Sequence, residues 1–143
     1  MLPTPPSNPR LSKLLLWSAR HRHRWPVFHR LICAWLGSDI FASLPTSTQL
    51  PHPYGIVIHS DAVLGEGCTV MQQVTIGAKS NRATDRGVPE VGDGVYIGAG
   101  AKVLGPVRIG AGAIIGANAV VTIDIPDCRT VVGGNRLLPE SRG

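Results

Sequence analysis

The sequence predicts an all-β fold in which the chain winds as a parallel β-helix, with a short helical segment before the coil and one loop extruded from it. Three observations carry this. Residues 91–126 divide into six sixes, VGDGVY, IGAGAK, VLGPVR, IGAGAI, IGANAV and VTIDIP. Their first places, Val91, Ile97, Val103, Ile109, Ile115 and Val121, are all aliphatic, and their fifth places, Val95, Ala101, Val107, Ala113, Ala119 and Ile125, are small or β-branched. Such a period matches neither a helix nor a simple strand, but it suits short strands and turns coiling about an axis, each coil burying its aliphatic row on the next. Gly, Asn, Asp or Pro falls in the second to fourth places, where the chain must turn. Finally, 17 Gly with 5% aromatic and 16% charged residues suits a turn-rich coil better than a helical bundle.

Taken in order, residues 1–9 are Pro-rich and expected to be disordered. Residues 10–38 form an N-terminal helical cap, one or two short helices broken at Pro26, with apolar Leu14, Leu15, Trp17, Val27, Phe28, Leu31, Ile32 and Trp35. The β-helix is assigned to 39–134, polar and irregular up to Pro51, after which an earlier set of sixes begins. Its first places are His52, Ile58, Leu64, Val70 and Ile76, and its fifth places are Ile56, Ala62, Cys68 and Val74. The two sets are out of step, so residues 79–90 (KSNRATDRGVPE) read as a loop extruded from a corner, polar and placed for function. Residues 135–143 are a C-terminal tail. So few coils leave apolar rows open at both ends, which predicts an oligomer.

The net charge of +5 is unevenly placed. Arg10, Lys13, Arg20, Arg22, Arg24 and Arg30 meet no acidic residue before Asp39, whereas the chain from Asp39 onward is close to neutral. The basic stretch reads first as the solvated face of the cap, and second as a peripheral contact of residues 10–36 with an anionic membrane. Nucleic acid is not expected as a partner, because no recognised binding motif accompanies the charge. No apolar run is long enough to cross a bilayer or to form a signal-peptide core. The three cysteines, Cys33, Cys68 and Cys128, have no metal spacing and read as reduced thiols, with Cys68 in the core and a cytoplasmic location. No metal is expected.

His52 breaks the pattern, standing in a first place where the other sixes carry an aliphatic residue. A partly buried imidazole there needs a partner for its second nitrogen, and Asp39 is the candidate, the arrangement of a carboxylate-oriented general base. The alternative is a structural histidine. His59 falls at a turn and is expected to be exposed, and His21, His23 and His29 read as surface or cap residues. The glycine turns GAGA at 98–101 and GANA at 116–119 bring backbone amides to the coil edge. Lys79, Lys102 and Arg136 are candidate phosphate contacts.

The segments HPYGIVIHSDAVLGEGCTVMQQVTIG and DRGVPEVGDGVYIGAGAKVLGPVRIGAGAIIGANAVV resemble the serine acetyltransferase family of hexapeptide-repeat transferases, in particular its short polysaccharide relatives of the colanic-acid type. The resemblance spans 29–138. It implies a left-handed β-helix of triangular section, a homotrimer with sites between subunits, and acetyl-CoA as co-substrate. It matches the catalytic base to His52 and its orienting carboxylate to Asp39, although the gap between the two is shorter here. By resemblance and turn geometry together, the acetyl-CoA contacts fall on Ala99, Gly100, Ala117 and Asn118, with Lys79, Lys102 and Arg136 near the phosphates. The acceptor contacts fall on the loop residues Asp85, Arg86 and Val88. Val88 precedes Pro89 where serine acetyltransferases carry a second histidine, the helical segment is short, and their regulatory tail is lacking. These departures favour a sugar or polysaccharide hydroxyl as acceptor. The alternatives are serine O-acetylation for cysteine synthesis and, from another class, a non-catalytic assembly subunit.

Overall fold

In the computed structural model, which describes residues 10–79 and 87–139, two helices precede a stack of very short strands. α1 (Arg10–Arg20) and α2 (Pro26–Leu36) form the cap. Then come β1 (Asp39–Ile40), β2 (Val57–Ile58), β3 (Val63–Leu64), β4 (Thr69–Val70), β5 (Thr75–Gly77), β6 (Glu90–Val91), β7 (Tyr96–Ile97), β8 (Lys102–Leu104), β9 (Arg108–Ile109), β10 (Ile114–Ile115), β11 (Val120–Val121), β12 (Thr130–Val132) and β13 (Arg136–Leu137). They pair into three sheets, β1-β2-β5-β8-β11, β13-β12-β10-β7-β4 and β3-β6-β9, here called A, B and C. Every pairing is parallel except β12 with β13. From β2 to β11 successive strands belong to successive sheets, so the chain turns a corner after each one and meets its own earlier coil.

The register is the six-residue rule made physical. Ile58 pairs with Ile76, Ile76 with Val103, and Val103 with Val121, all of them fully buried. Every first and fifth place from Ile56 onward is buried, Cys68 included, so the aliphatic rows stack as expected. Burial of about 25 cal/mol per Å² of apolar surface is repeated coil after coil, and this is what holds strands of two or three residues together.

The corners explain the glycines and the exceptions to them. Between sheets B and A the same place in each coil has positive φ: Gly55 (65°), Gln73 (61°), Gly100 (72°) and Asn118 (54°). Between sheets C and B the matching column is Gly67, Gly94, Gly112 and Cys128. The tight turn thus imposes a left-handed residue whether or not a glycine supplies it.

In the cap, Pro26 opens α2, where its missing N–H costs nothing. Leu15, Ala19, Ile32, Cys33 and Leu36 close over the coil, and the Ser12 hydroxyl donates to the Leu50 carbonyl. Gly37, left-handed at φ 59°, ends α2; its N–H donates to the Ala34 carbonyl and the Ser38 N–H to the Cys33 carbonyl.

Three details refine the expectations. Of the two readings, surface or cap, His29 takes the second: it is buried within the cap, with Nδ1 3.0 Å from the Ser18 hydroxyl and Nε2 3.1 Å from the Ile40 carbonyl, and it ties α1 and α2 to β1. At the start of the tail, β13 runs back antiparallel on β12 and covers the end of sheet B. The coil already includes β1, within the assigned 39–134 and ahead of the regular sixes, with Ile40 stacked on Ile58. The expected disorder of 1–9 and most of the extruded loop lie outside the described residues.

Candidate active site

The clearest departure from expectation concerns His52, which is exposed and does not stand in the aliphatic wall. Gln49 pairs with Thr69, so Leu50 falls on Val70 and is itself fully buried. The core place is therefore filled two residues before His52, and the slack is taken up in the turn Pro51-His52-Pro53-Tyr54-Gly55. Prolines on both sides fix φ at those positions, and the Tyr54 N–H donates to the His52 carbonyl at 2.8 Å. The physical reason is plain: a leucine two residues away fills that hydrocarbon site without the cost of burying an imidazole. The turn is rigid and holds the ring outward.

Asp39 is also exposed, on the strand beside β2, where it pairs with Val57. Among the described residues no hydrogen bond joins Asp39 to His52, so the expected pairing is not formed within one chain. What braces the turn instead is Ser38, which sequence reasoning missed. Its hydroxyl donates to the Pro53 carbonyl at 3.0 Å and accepts from the Ile56 N–H at 3.1 Å, while the Leu36 carbonyl accepts from the Gly55 N–H at 3.1 Å. The end of α2 thus locks the platform that carries His52.

His52 belongs to the edge between sheets B and A, and the predicted glycine turns are on that same edge. The Tyr54 carbonyl accepts from Gln73 N–H (2.9 Å), the Gln72 carbonyl from Gly100 N–H (2.9 Å), and the Ala99 carbonyl from Asn118 N–H (2.8 Å). Four corners stack in this way, spanning about 14 Å at the usual strand spacing. A Cβ placed on Gly98 would stand 2.7–2.9 Å from backbone atoms of Ile115, Gly116 and Ala117, so the coils approach closely only because that side chain is missing. Lys102 lies on this edge, but its ammonium already donates to the carbonyls of Gln73 (2.8 Å) and Gly100 (3.0 Å). Arg136 is exposed just after the turn at the far end of the edge. The Gln72 side-chain oxygen, buried and without a hydrogen-bond partner among the described residues, is a further acceptor at this edge. Its signal in the sequence was the pair Gln72-Gln73 in a turn that other coils build from Gly and Ala.

Two predicted groups do not join this edge. Lys79 stands at the corner between sheets A and C, where Gly105 approaches its side chain. Val88 packs against the core, and Gly87 lies over Pro106, so both feet of the extruded loop leave from that second edge. Asp85 and Arg86 lie outside the described residues. Within one chain, therefore, His52 and the loop's feet stand on different edges of the coil. A recess of about 640 Å³ lined by Glu90, Arg108, Asp124 and Asp127 among others runs along sheet C and does not include His52. Of the thiols, Cys33 and Cys68 are buried and Cys128 is exposed. Burial pushes the Cys33 and Cys68 thiols up from their ordinary pKa, with smaller upward contributions from the Asp39 and Asp93 charges.

A coil of parallel two- and three-residue strands stacked on a six-residue repeat, with a rigidly presented histidine at an edge of close backbone turns, defines a hexapeptide-repeat solenoid. Residues 89–122 match the family described as bacterial transferase hexapeptide (six repeats). Beyond that segment the likeness is to serine acetyltransferases. A probable serine acetyltransferase of Oryza sativa subsp. japonica is 46% identical over 103 residues, covering 71% of this chain and 34% of the relative. The crystal structure of the Neisseria gonorrhoeae serine acetyltransferase superposes with a TM-score of 0.76 at 34% identity, over 90% of this chain and 54% of that one. A serine acetyltransferase in complex with CoA gives 0.71 at 32% identity, over 86% of this chain and 51% of that one. The chain spans about a third to a half of the length of the curated relatives it matches. These names support the serine acetyltransferase likeness over the polysaccharide one.

Proposed function

We propose that the chain is an acetyl-CoA-dependent O-acetyltransferase and that its acceptor is the hydroxyl of serine or a similar small molecule. The observation that carries this is the placing of His52, outward on a proline-framed turn, on the same edge as the Gly98–Gly100 and Gly116–Asn118 turns. The relatives add the chemistry: their names share serine acetyltransferase activity, and one was solved with CoA. The saccharide acceptor favoured by the sequence has less support, since the relatives are serine acetyltransferases, which was there the alternative. One observation still speaks for it, namely that Val88 turns its side chain to the core and offers no polar contact to an amino acid.

In this reading an extended acetyl-CoA lies along the edge past Ala99, Gly100, Ala117 and Asn118, with Arg136 toward the phosphates. Exposed backbone at the glycine turns supplies its polar contacts. Lys102 acts by holding the turn, because its ammonium is committed to two carbonyls. His52 takes the proton from the acceptor hydroxyl as that oxygen attacks the thioester carbonyl. When the C–S bond breaks, the imidazolium returns the proton to the departing thiolate. Asp39 steadies the imidazolium once bound substrate has turned the two exposed side chains toward each other. No covalent enzyme intermediate is required.

Because His52 and the loop stand on different edges, a site containing both needs two copies of the chain, one contributing each edge. This supports an assembly of copies, of which the homotrimer implied by the resemblance is one form.

The test is loss of thioester absorbance from acetyl-CoA, with L-serine compared against nucleotide sugars and oligosaccharides. Turnover with L-serine that falls at least about a hundredfold in His52→Ala supports the reading. A saccharide used in its place moves the acceptor to the second reading. Equal activity of the variant removes His52 from the mechanism, and no turnover with any acceptor returns the chain to the non-catalytic class.

A further inference from the structure

The cap carries a surface that neither the coil nor the proposed chemistry uses. All three tryptophans of the chain belong to it, and all are open to solvent: Trp17 is 47% exposed, Trp25 56% and Trp35 71%. Val27, Leu31 and Trp35 stand one above the next along α2, since residues four apart share a helix face, and Val27 and Leu31 are 69% and 63% exposed. The opposite face of the same helix, His29, Ile32, Cys33 and Leu36, is the one turned to the core. Phe28 meets Trp17 edge-on at 6.2 Å, so the apolar stripe continues onto α1.

Cations flank this stripe. Arg10, Lys13, Arg20, Arg24 and Arg30 are exposed, and no acidic residue occurs before Asp39. Two copies meeting through this face would bring like charges together, which opposes association. A nucleic acid would satisfy the cations but would leave Val27 and Leu31 uncovered. An anionic bilayer surface answers both halves, the cations meeting headgroup phosphates and the Trp and aliphatic side chains entering the headgroup boundary. Among the described residues no helix is long and apolar enough to cross a membrane, so the contact is peripheral.

We propose that α1 and α2 dock the protein on anionic lipid surfaces through the Trp17–Phe28–Leu31–Trp35 face and its flanking arginines. The proposal is independent of the acetyl-transfer reading and stands or falls without it.

The test is co-sedimentation of the full chain with vesicles of phosphatidylcholine alone and of phosphatidylcholine mixed with phosphatidylglycerol, followed also by tryptophan emission. Partitioning should be at least about tenfold greater on the anionic vesicles, should fall with added salt, and should come with a blue shift. Leu31→Ser/Trp35→Ser, at two exposed positions, should lower it about tenfold with unchanged circular dichroism. Equal partitioning on both vesicle types, in the unaltered protein, overturns the proposal. So does a double variant that binds vesicles normally but sediments as a smaller assembly in solution, which would assign the face to a second copy. Binding to single-stranded DNA in preference to vesicles, unaffected by the double variant, overturns it as well.

Discussion

Leu50 and His52 are two residues apart, and their truncations should separate cleanly. Leu50 is fully buried at the position above Val70, under the α1 cap, so Leu50→Ala removes three carbon atoms from a site with no route to solvent. The lost transfer free energy plus the cavity left behind amount to about 3 kcal/mol, within the usual range of about 2–5 kcal/mol. For a chain of this size that is about a 10 °C fall in Tm. His52 is exposed, and among the described residues its ring makes no hydrogen bond. His52→Ala should therefore change stability by no more than about 0.5 kcal/mol while removing turnover. Thermal unfolding and thioester consumption are measured on the same preparations, at one protein concentration because association makes Tm concentration-dependent. The reasoning is refuted if His52→Ala destabilises as much as Leu50→Ala. That result would put the imidazole in the hydrocarbon wall where the six-residue phase alone puts it.

Three further outcomes are expected. Gly98→Ala drives a methyl group to within 2.7 Å of the Ala117 amide on the next coil, and should cost about 1–3 kcal/mol, raising KM for acetyl-CoA more than it lowers kcat. Steady-state kinetics at varied acetyl-CoA check the split. In the native protein only Cys128 should react promptly with Ellman's reagent, because burial keeps the Cys33 and Cys68 thiols protonated. Since those two folded-state pKa values lie above the ordinary 9.0, the unfolded chain releases their protons first as pH rises. Their contribution to stability is therefore complete below that pH and declines above it, which denaturant melts at rising alkaline pH will show.

The six-residue rows were legible in the sequence because each coil repeats one local demand. An aliphatic side chain must point in at fixed intervals, and a tight turn must follow. Ile97 and Ile115 thus announce their own burial, and Pro26 announces the break between the helices. The edge shared by the 98–100 and 116–118 turns was legible too, because places in successive sixes stack automatically. His29 was not legible, since its burial depends on Ser18 and the Ile40 carbonyl meeting it from other elements. Nor was the placement of His52. A count by sixes assumes equal corners, whereas the first coil shortens one side and lengthens the next, which seats Leu50 in the core and turns the imidazole out. The sequence by itself determined the coil, because periodic burial is a local rule. Only the tertiary structure decided which side chain of the Leu50–His52 turn entered the core, because that depends on how the Ser38 brace, the α1 cap and the pairing of Gln49 with Thr69 compete for one short stretch of chain.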